Sequence, residues 1–338
     1  MWGLKIAVSV VLTVHLGLAT ARDVIGDPVR SKGSETFHTP AGFYPESIAL
    51  DPISGDLYLT SFRLGMIGRV DRHGHFATVV DDPDLVSSSG IKVDATRKRL
   101  LICITDVGAA TRSSASTNGN TARLVEYAMP GGQRLRTTDL AGLAPGPHNA
   151  NDVGIDADGN AYVTDSSAGV IYRAPLNGPP SVLASNAAWR GPGVNLNGIA
   201  VHPDGYLLVG QYNAGALWRV ALSAPHSITR VRMPSHVTGA DGILLLSRNR
   251  LAIVRNSIGL DTSKPAVNRV ELWASSDDWH SAHRLQVTQS LDAPTAITGS
   301  VTHSVVLESR LNELFSHDGV DARANADVYR VRFLSWPG

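Results

Sequence analysis

The sequence predicts an all-β chain, a six-bladed β-propeller with four-stranded blades around a central channel. Three observations carry that expectation. A segment of constant shape recurs six times: a polar pair, an alternating apolar strand, a turn and a second apolar strand. Aligning the first residue of each pair gives Glu46, Ser89, Asn151, Asn197, Asp241 and Pro294, spaced 43, 62, 46, 44 and 53 residues apart. That is the length of one blade of about four strands. The turns also suit hairpins, with Asp158-Gly159 and Asp204-Gly205 supplying the positive φ angles of two-residue loops. Helical periodicity is nearly absent.

The elements follow in chain order. Residues 1–21 read as a secretory signal peptide. Lys5 gives a basic start, residues 6–18 are apolar, and Ala19-Thr20-Ala21 is a small-x-small cleavage site. A membrane anchor is the competing reading, but the apolar run is too short to span a bilayer and Arg22-Asp23 ends it. Residues 22–338 are then one domain. The stretch around Glu35–Thr39 is a candidate outer strand that closes the last blade. The first two repeats begin at Pro45 and Ser88. Cys103, the single cysteine, sits in an apolar run and reads as a buried small hydrophobe. Residues 111–123 are small and polar, an insertion expected to form a mobile loop. The third and fourth repeats carry clear third strands in "GVIYRAPL" and "GALWRVAL", and the fifth begins at Ala240. The sixth is degenerate, with "ADVYRVRFL" at 326–334 as its later strand.

Thirty basic residues balance thirty acidic ones with no block of like charge, which argues against nucleic acid or an anionic membrane as partner. No H-E-x-x-H, G-x-S-x-G, P-loop or dinucleotide fingerprint is present. The polar register is the chemically telling feature. In a propeller the innermost strands line the channel, so one residue per blade converges on the axis. Glu46, Asn151, Asn197 and Asp241 supply two carboxylates and two carboxamides, a donor set for a hard divalent cation, calcium first. Each pair alone is ordinary turn chemistry. Four at one register, with Glu46 among them, favour a metal site placed off-centre, because Ser89 and Pro294 bring no charge.

These repeats resemble the gluconolactonase/regucalcin (senescence-marker-like) superfamily of six-bladed propellers, which includes diisopropylfluorophosphatase. The likeness runs from about Phe37 to the C-terminus. The order Glu46, Asn151, Asn197, Asp241 is similar to the calcium ligand set of diisopropylfluorophosphatase. The stretches "NDVGIDADGNAYVTDS" and "NGIAVHPDGYLLVGQ" also resemble a calcium-dependent phosphotriesterase-like branch. The resemblance implies a hydrolase of esters, lactones or phosphotriesters. Asp241 is then nucleophile or general base, Glu46 shares the catalytic centre, and the cation polarises the scissile C=O or P=O. Sugar-lactonase members carry an arginine two residues before the position of Asn151. Here that residue is Asn149, which implies a less polar substrate.

Further substrate-binding candidates are His148 near the pocket mouth, Asp152 beside Asn151, Trp189 in a loop over the channel, and Arg63 and Tyr212 after their second strands. His236, five residues before Asp241, is an acid–base candidate. Each has a plain structural alternative, as capping, packing or backbone-bonding residue. The expected partner is a small molecule, with an exported (periplasmic, if bacterial) monomeric protein. Two other functions fit the same pattern: a cofactor-free cyclase or isomerase with an apolar mouth, and a non-catalytic binding propeller with calcium as a staple.

Overall fold

The structure is a computed structural model that describes residues 33–224, 226–260, 266–288, 290–316 and 326–336. The expected leader at residues 1–21 lies outside the described residues. The chain enters in β1 (Gly33–His38) and then builds five sequential blades of four antiparallel strands. Blade 1 is β2 (Pro45–Leu50), β3 (Leu57–Ser61), β4 (Ile67–Val70) and β5 (Phe76–Val80). Blade 2 is β6 (Ser87–Asp94), β7 (Arg99–Thr105), β8 (Ala122–Ala128) and β9 (Arg134–Asp139). Blade 3 is β10 (Ala150–Ile155), β11 (Ala161–Asp165), β12 (Val170–Ala174) and β13 (Ser181–Ser185). Blade 4 is β14 (Leu196–His202), β15 (Tyr206–Gln211), β16 (Ala216–Ala221) and β17 (Ile228–Arg230). Blade 5 is β18 (Ala240–Ser247), β19 (Arg250–Arg255), β20 (Arg269–Ala274) and β21 (His283–Val287). Blade 6 is β22 (Pro294–Gly299), β23 (Ser304–Glu308) and β24 (Val328–Leu334), completed by β1 on its outer edge.

This confirms the six-bladed all-β expectation. The closing strand pairs Gly33 with Phe333 through His38 with Val328, so the first and last described strands share one sheet. Inner strands of successive blades touch all the way round, β22 against β2 included, and that contact closes the ring. Apolar faces of neighbouring blades pack in layers. Cys103 is fully buried in one of them, between blades 2 and 3, with Leu101, Val153 and Tyr172. Such burial removes its thiol from chemistry in solution.

Two expectations are corrected. The insertion at 111–123 is a tied loop followed by strand, since β8 already begins at Ala122. Buried Asp106 accepts from the hydroxyls of Ser113 and Thr117, and Arg112 bonds the Asp82 and Leu85 carbonyls. The register of blade 6 also shifts by one. Pro294 pairs with Glu308 just as Ala150 pairs with Asp165 and Ala240 with Arg255, so Thr295, not Pro294, stands at the position of Asn151 and Asp241. Proline has no N–H and no polar side chain; it occupies the paired position that Pro45 holds in blade 1.

A pairing irregularity falls at one place in every blade, just inside the start of the inner strand. An extra residue there leaves the polar pair out of the ladder and re-aims its side chains. The repeated bulge is what turns a strand start into a ring of axial side chains.

Candidate functional site

Glu46, Asn151, Asn197 and Asp241 line one cavity on the axis, with Ser47, Lys92, Asp152 and Thr295 among their neighbours. All four are buried, at 9, 9, 4 and 7% exposure. The cavity measures about 10 Å³, room for roughly one water-sized body. Inner strands approach closely here. A Cβ on Gly198 would overlap the Asp241 carbonyl oxygen, and one on Gly242 would come 2.8 Å from the Thr295 oxygen and the Ala296 Cα. Neither glycine is needed for a positive φ, so the Asn-Gly and Asp-Gly pairs of blades 4 and 5 serve close packing rather than turns.

Burial pushes both carboxyls up. Glu46 is raised well above the ordinary carboxylate range by desolvation first, then by the charges of Asp241 and Asp152, with Lys92 opposing. Asp241 is raised by desolvation, against hydrogen bonds from Asn256 and Asn197 and with Asp152 adding to the rise. Asn256 Nδ2 donates to Asp241 Oδ2 at 2.6 Å and to the Pro294 carbonyl at 2.8 Å. Its Oδ1 accepts from the Tyr212 hydroxyl and from the Ile258 N–H. Among the side chains that line the cavity, two buried oxygens have no hydrogen-bond partner within the described residues: Glu46 Oε2 and Asn151 Oδ1.

Orphaned acceptors are costly in a protein interior unless a donor or a cation meets them. These two come from blades 1 and 3 and line the same small cavity as Asn197 and Asp241. The donor set therefore fits a single hard cation. Among the described residues no three His, Cys, Asp or Glu side chains form a metal cage by themselves, so the two carboxamides are essential to any such site. Asp152 lines the cavity but faces protein donors: Lys92 Nζ at 3.3 Å and the N–H groups of Val153 and Ile199.

The other sequence candidates scatter, and all six lie off the cavity lining. Asn149 spends its Oδ1 on the Thr105 hydroxyl at 3.1 Å. His148 is buried, with Nδ1 at 2.9 Å from Asp165 Oδ2 and a bond to the Ala144 carbonyl. Tyr172 joins the same carboxylate, so His148 belongs to a closed structural network. Trp189 does not roof the channel. It is fully buried in the core between blades 3 and 4, its ring 6.1 Å from that of Trp218. Arg63 is buried and its carbonyl accepts from Thr111, which anchors the tied loop. His236 lines a separate surface groove with Arg230 and Met233. Tyr212 is off the lining too, but it reaches the site through Asn256.

Sequence reasoning missed Lys92, Asn256 and Thr295. A signal existed for Asn256. It directly follows the second-strand residue that pairs with the start of the inner strand, and Tyr212 holds the same place in blade 4.

The fold and the site define a six-bladed propeller with an oxygen-donor cluster on its axis. No family model matches the chain, and no curated protein does. Solved structures do match. The major allergen Mala s 1 of Malassezia sympodialis superposes with TM-score 0.68 at 14% identity, over 89% of this chain and 96% of that one. A luciferin-regenerating enzyme gives 0.58 at 12%, over 90% and 98%. Virginiamycin B lyase from Staphylococcus aureus gives 0.53 at 12%, over 89% and 100%. At these identities the likeness is one of fold, and two of the three are enzymes by name.

Proposed function

We propose that this chain is an exported, calcium-dependent hydrolase of a small ester, lactone or phosphotriester, acting at the axial cluster. Membership of the gluconolactonase/regucalcin superfamily is part of the proposal, as is export on the leader at residues 1–21. The observation that carries it is the pair of orphaned oxygens, Glu46 Oε2 and Asn151 Oδ1, set beside Asp241 and Asn197.

Glu46, Asn151, Asn197 and Asp241 would hold the cation. When bound, it supplies the charge that lets both carboxylates ionise and that polarises the substrate's C=O or P=O oxygen. The chain does the rest. Asn256 fixes Asp241 Oδ2 and Asn197 also bonds this carboxylate, which orients it to take a proton from the attacking water. Burial raises the Asp241 carboxyl in the ion-free site, and a bound cation would oppose that rise and keep the base ionised. Tyr212 and Ile258 hold Asn256 in turn. Asp241→Asn and chelator-stripped protein, assayed on an ester, lactone and phosphotriester panel, should both lose turnover, with calcium restoring only the stripped wild type. Full activity in either would overturn the mechanism.

A second reading rests on cavity size. Room for one water-sized body admits an ion but no substrate, which suits calcium as a staple in a non-catalytic binding propeller. Under it, chelation lowers the melting temperature and the panel shows no turnover.

A further inference from the structure

Four charged side chains line the axial cavity: Glu46, Asp152, Asp241 and Lys92. They come from the inner strands of blades 1, 3, 5 and 2. Their formal sum with all groups ionised is −2. The two halves of that sum are treated differently by the protein. Asp152 has both oxygens engaged: Oδ1 by Lys92 Nζ and the Val153 N–H, Oδ2 by the Ile199 N–H. Glu46 Oε2 is unpartnered, and Asn151 Oδ1 beside it is unpartnered too. Lys92 thus neutralises the one carboxylate whose two oxygens are both already hydrogen-bonded within the protein. What remains for an ion is the pair of charges on Glu46 and Asp241.

We propose that Lys92 sets the charge of the cation this site accepts, by neutralising Asp152 so that a divalent ion, and not a trivalent one, balances the cavity. The inference rests on the metal reading above and extends it to ion selectivity. Its physical basis is that the Coulomb energy of a fixed charge scales with the charge of the ion it acts on. Removing the ammonium therefore strengthens binding of every cation and strengthens trivalent ions most. Removing the Asp152 charge does the reverse. Removing both restores the sum of −2.

The test is calorimetric titration of chelator-stripped full chain with calcium and, separately, with terbium. For Lys92→Met we expect calcium to bind about tenfold tighter and terbium about thirtyfold tighter, the ratio that charges of two and three require. Lys92→Arg should match the wild type, Asp152→Asn should weaken both ions, and the Lys92→Met/Asp152→Asn double variant should return close to wild-type affinities. Circular dichroism checks that each variant is folded. If Lys92→Met alone fails to fold, Asp152→Asn and the double variant still order the affinities by charge. Unchanged or weaker binding in a folded Lys92→Met, or a folded double variant that does not return toward wild type, overturns the proposal. A wild type that binds neither ion overturns the metal reading itself, and this inference with it.

Discussion

Asn256 is the residue on which the site's geometry turns. It is fully buried and bonds Asp241, Pro294, Tyr212 and Ile258 at once. Removing a side chain that holds a ligand typically costs about 10–100-fold in metal affinity or activity. Asn256→Ala should show a loss of that size in calcium titrations, and Tyr212→Phe a smaller one, because the Ile258 N–H still holds Asn256. Equal affinities in wild type and Asn256→Ala would show that Asp241 needs no support. His148 makes a different prediction. Its hydrogen bond to Asp165 raises its pKa above the ordinary 6.5, burial opposing. Burial pushes Asp165 up, but His148 and the Ala168 and Asn149 N–H groups outweigh it and hold it below the ordinary 3.8. The histidine's contribution is complete below its unfolded value and lost as pH rises through the folded one. The aspartate's is complete above its unfolded value and lost as pH falls through the folded one. The pair therefore stabilises most between those two ordinary values. The melting-temperature gap between wild type and His148→Gln should peak near pH 5 and narrow toward pH 8; a gap that widens with pH would contradict the pairing.

At the scale of the strand, the repeated bulge does what the apolar pattern alone could not announce. Taking in each blade the residue after the partner of the position just before the bulge gives Phe62, Thr105, Ser166, Tyr212, Asn256 and Ser309, a second ring behind the first. Ser166 and Ser309 hydroxyls bond main-chain carbonyls at Leu196 and Ala293, so these two brace the chain, whereas Asn256 is the member bonded to a candidate ligand residue, Asp241. The inner strands also pack without slack at Gly198. Gly198→Ala drives a methyl into the Asp241 backbone, and overpacking of this kind costs roughly 1–3 kcal/mol. Chemical denaturation should show that loss together with weaker calcium binding, since the displaced strand carries Asp241. Unaltered stability would mean that the blades can part at the axis.

At the scale of the whole molecule, blade 6 is completed by six residues, Gly33–His38, that precede blade 1 in the chain. β1 supplies the outer ladder of blade 6 and buries Phe37 against Tyr329, their rings 6.2 Å apart. Comparing a chain that begins at Gly33 with one that begins at Thr39 isolates that strand. Its loss removes a ladder and about 1.5–3 kcal/mol of phenylalanine burial, and should lower the melting temperature by on the order of 10 °C. Identical melting curves would show that blade 6 stands on three strands. The six repeats, their blade length and the closing strand were all legible in the sequence, because strand alternation and turn residues are local and each blade repeats them. Glu46, Asn151, Asn197 and Asp241 were legible for the same reason: one register, read six times. The place of Thr295 was not, because proline looks like a member of the polar pair until its pairing with Glu308 is known. Trp189 looked like a loop residue because nothing local says that Trp218, in the third strand of blade 4, packs on it. Lys92 and Asp152 meet across a blade boundary, 60 residues apart in the chain. The sequence by itself thus determined the propeller and the donors it aims inward, since these depend on periodicity along the chain. Only the tertiary structure decided which oxygens are left without partners and which charges cancel, since those depend on strands from different blades meeting at the axis.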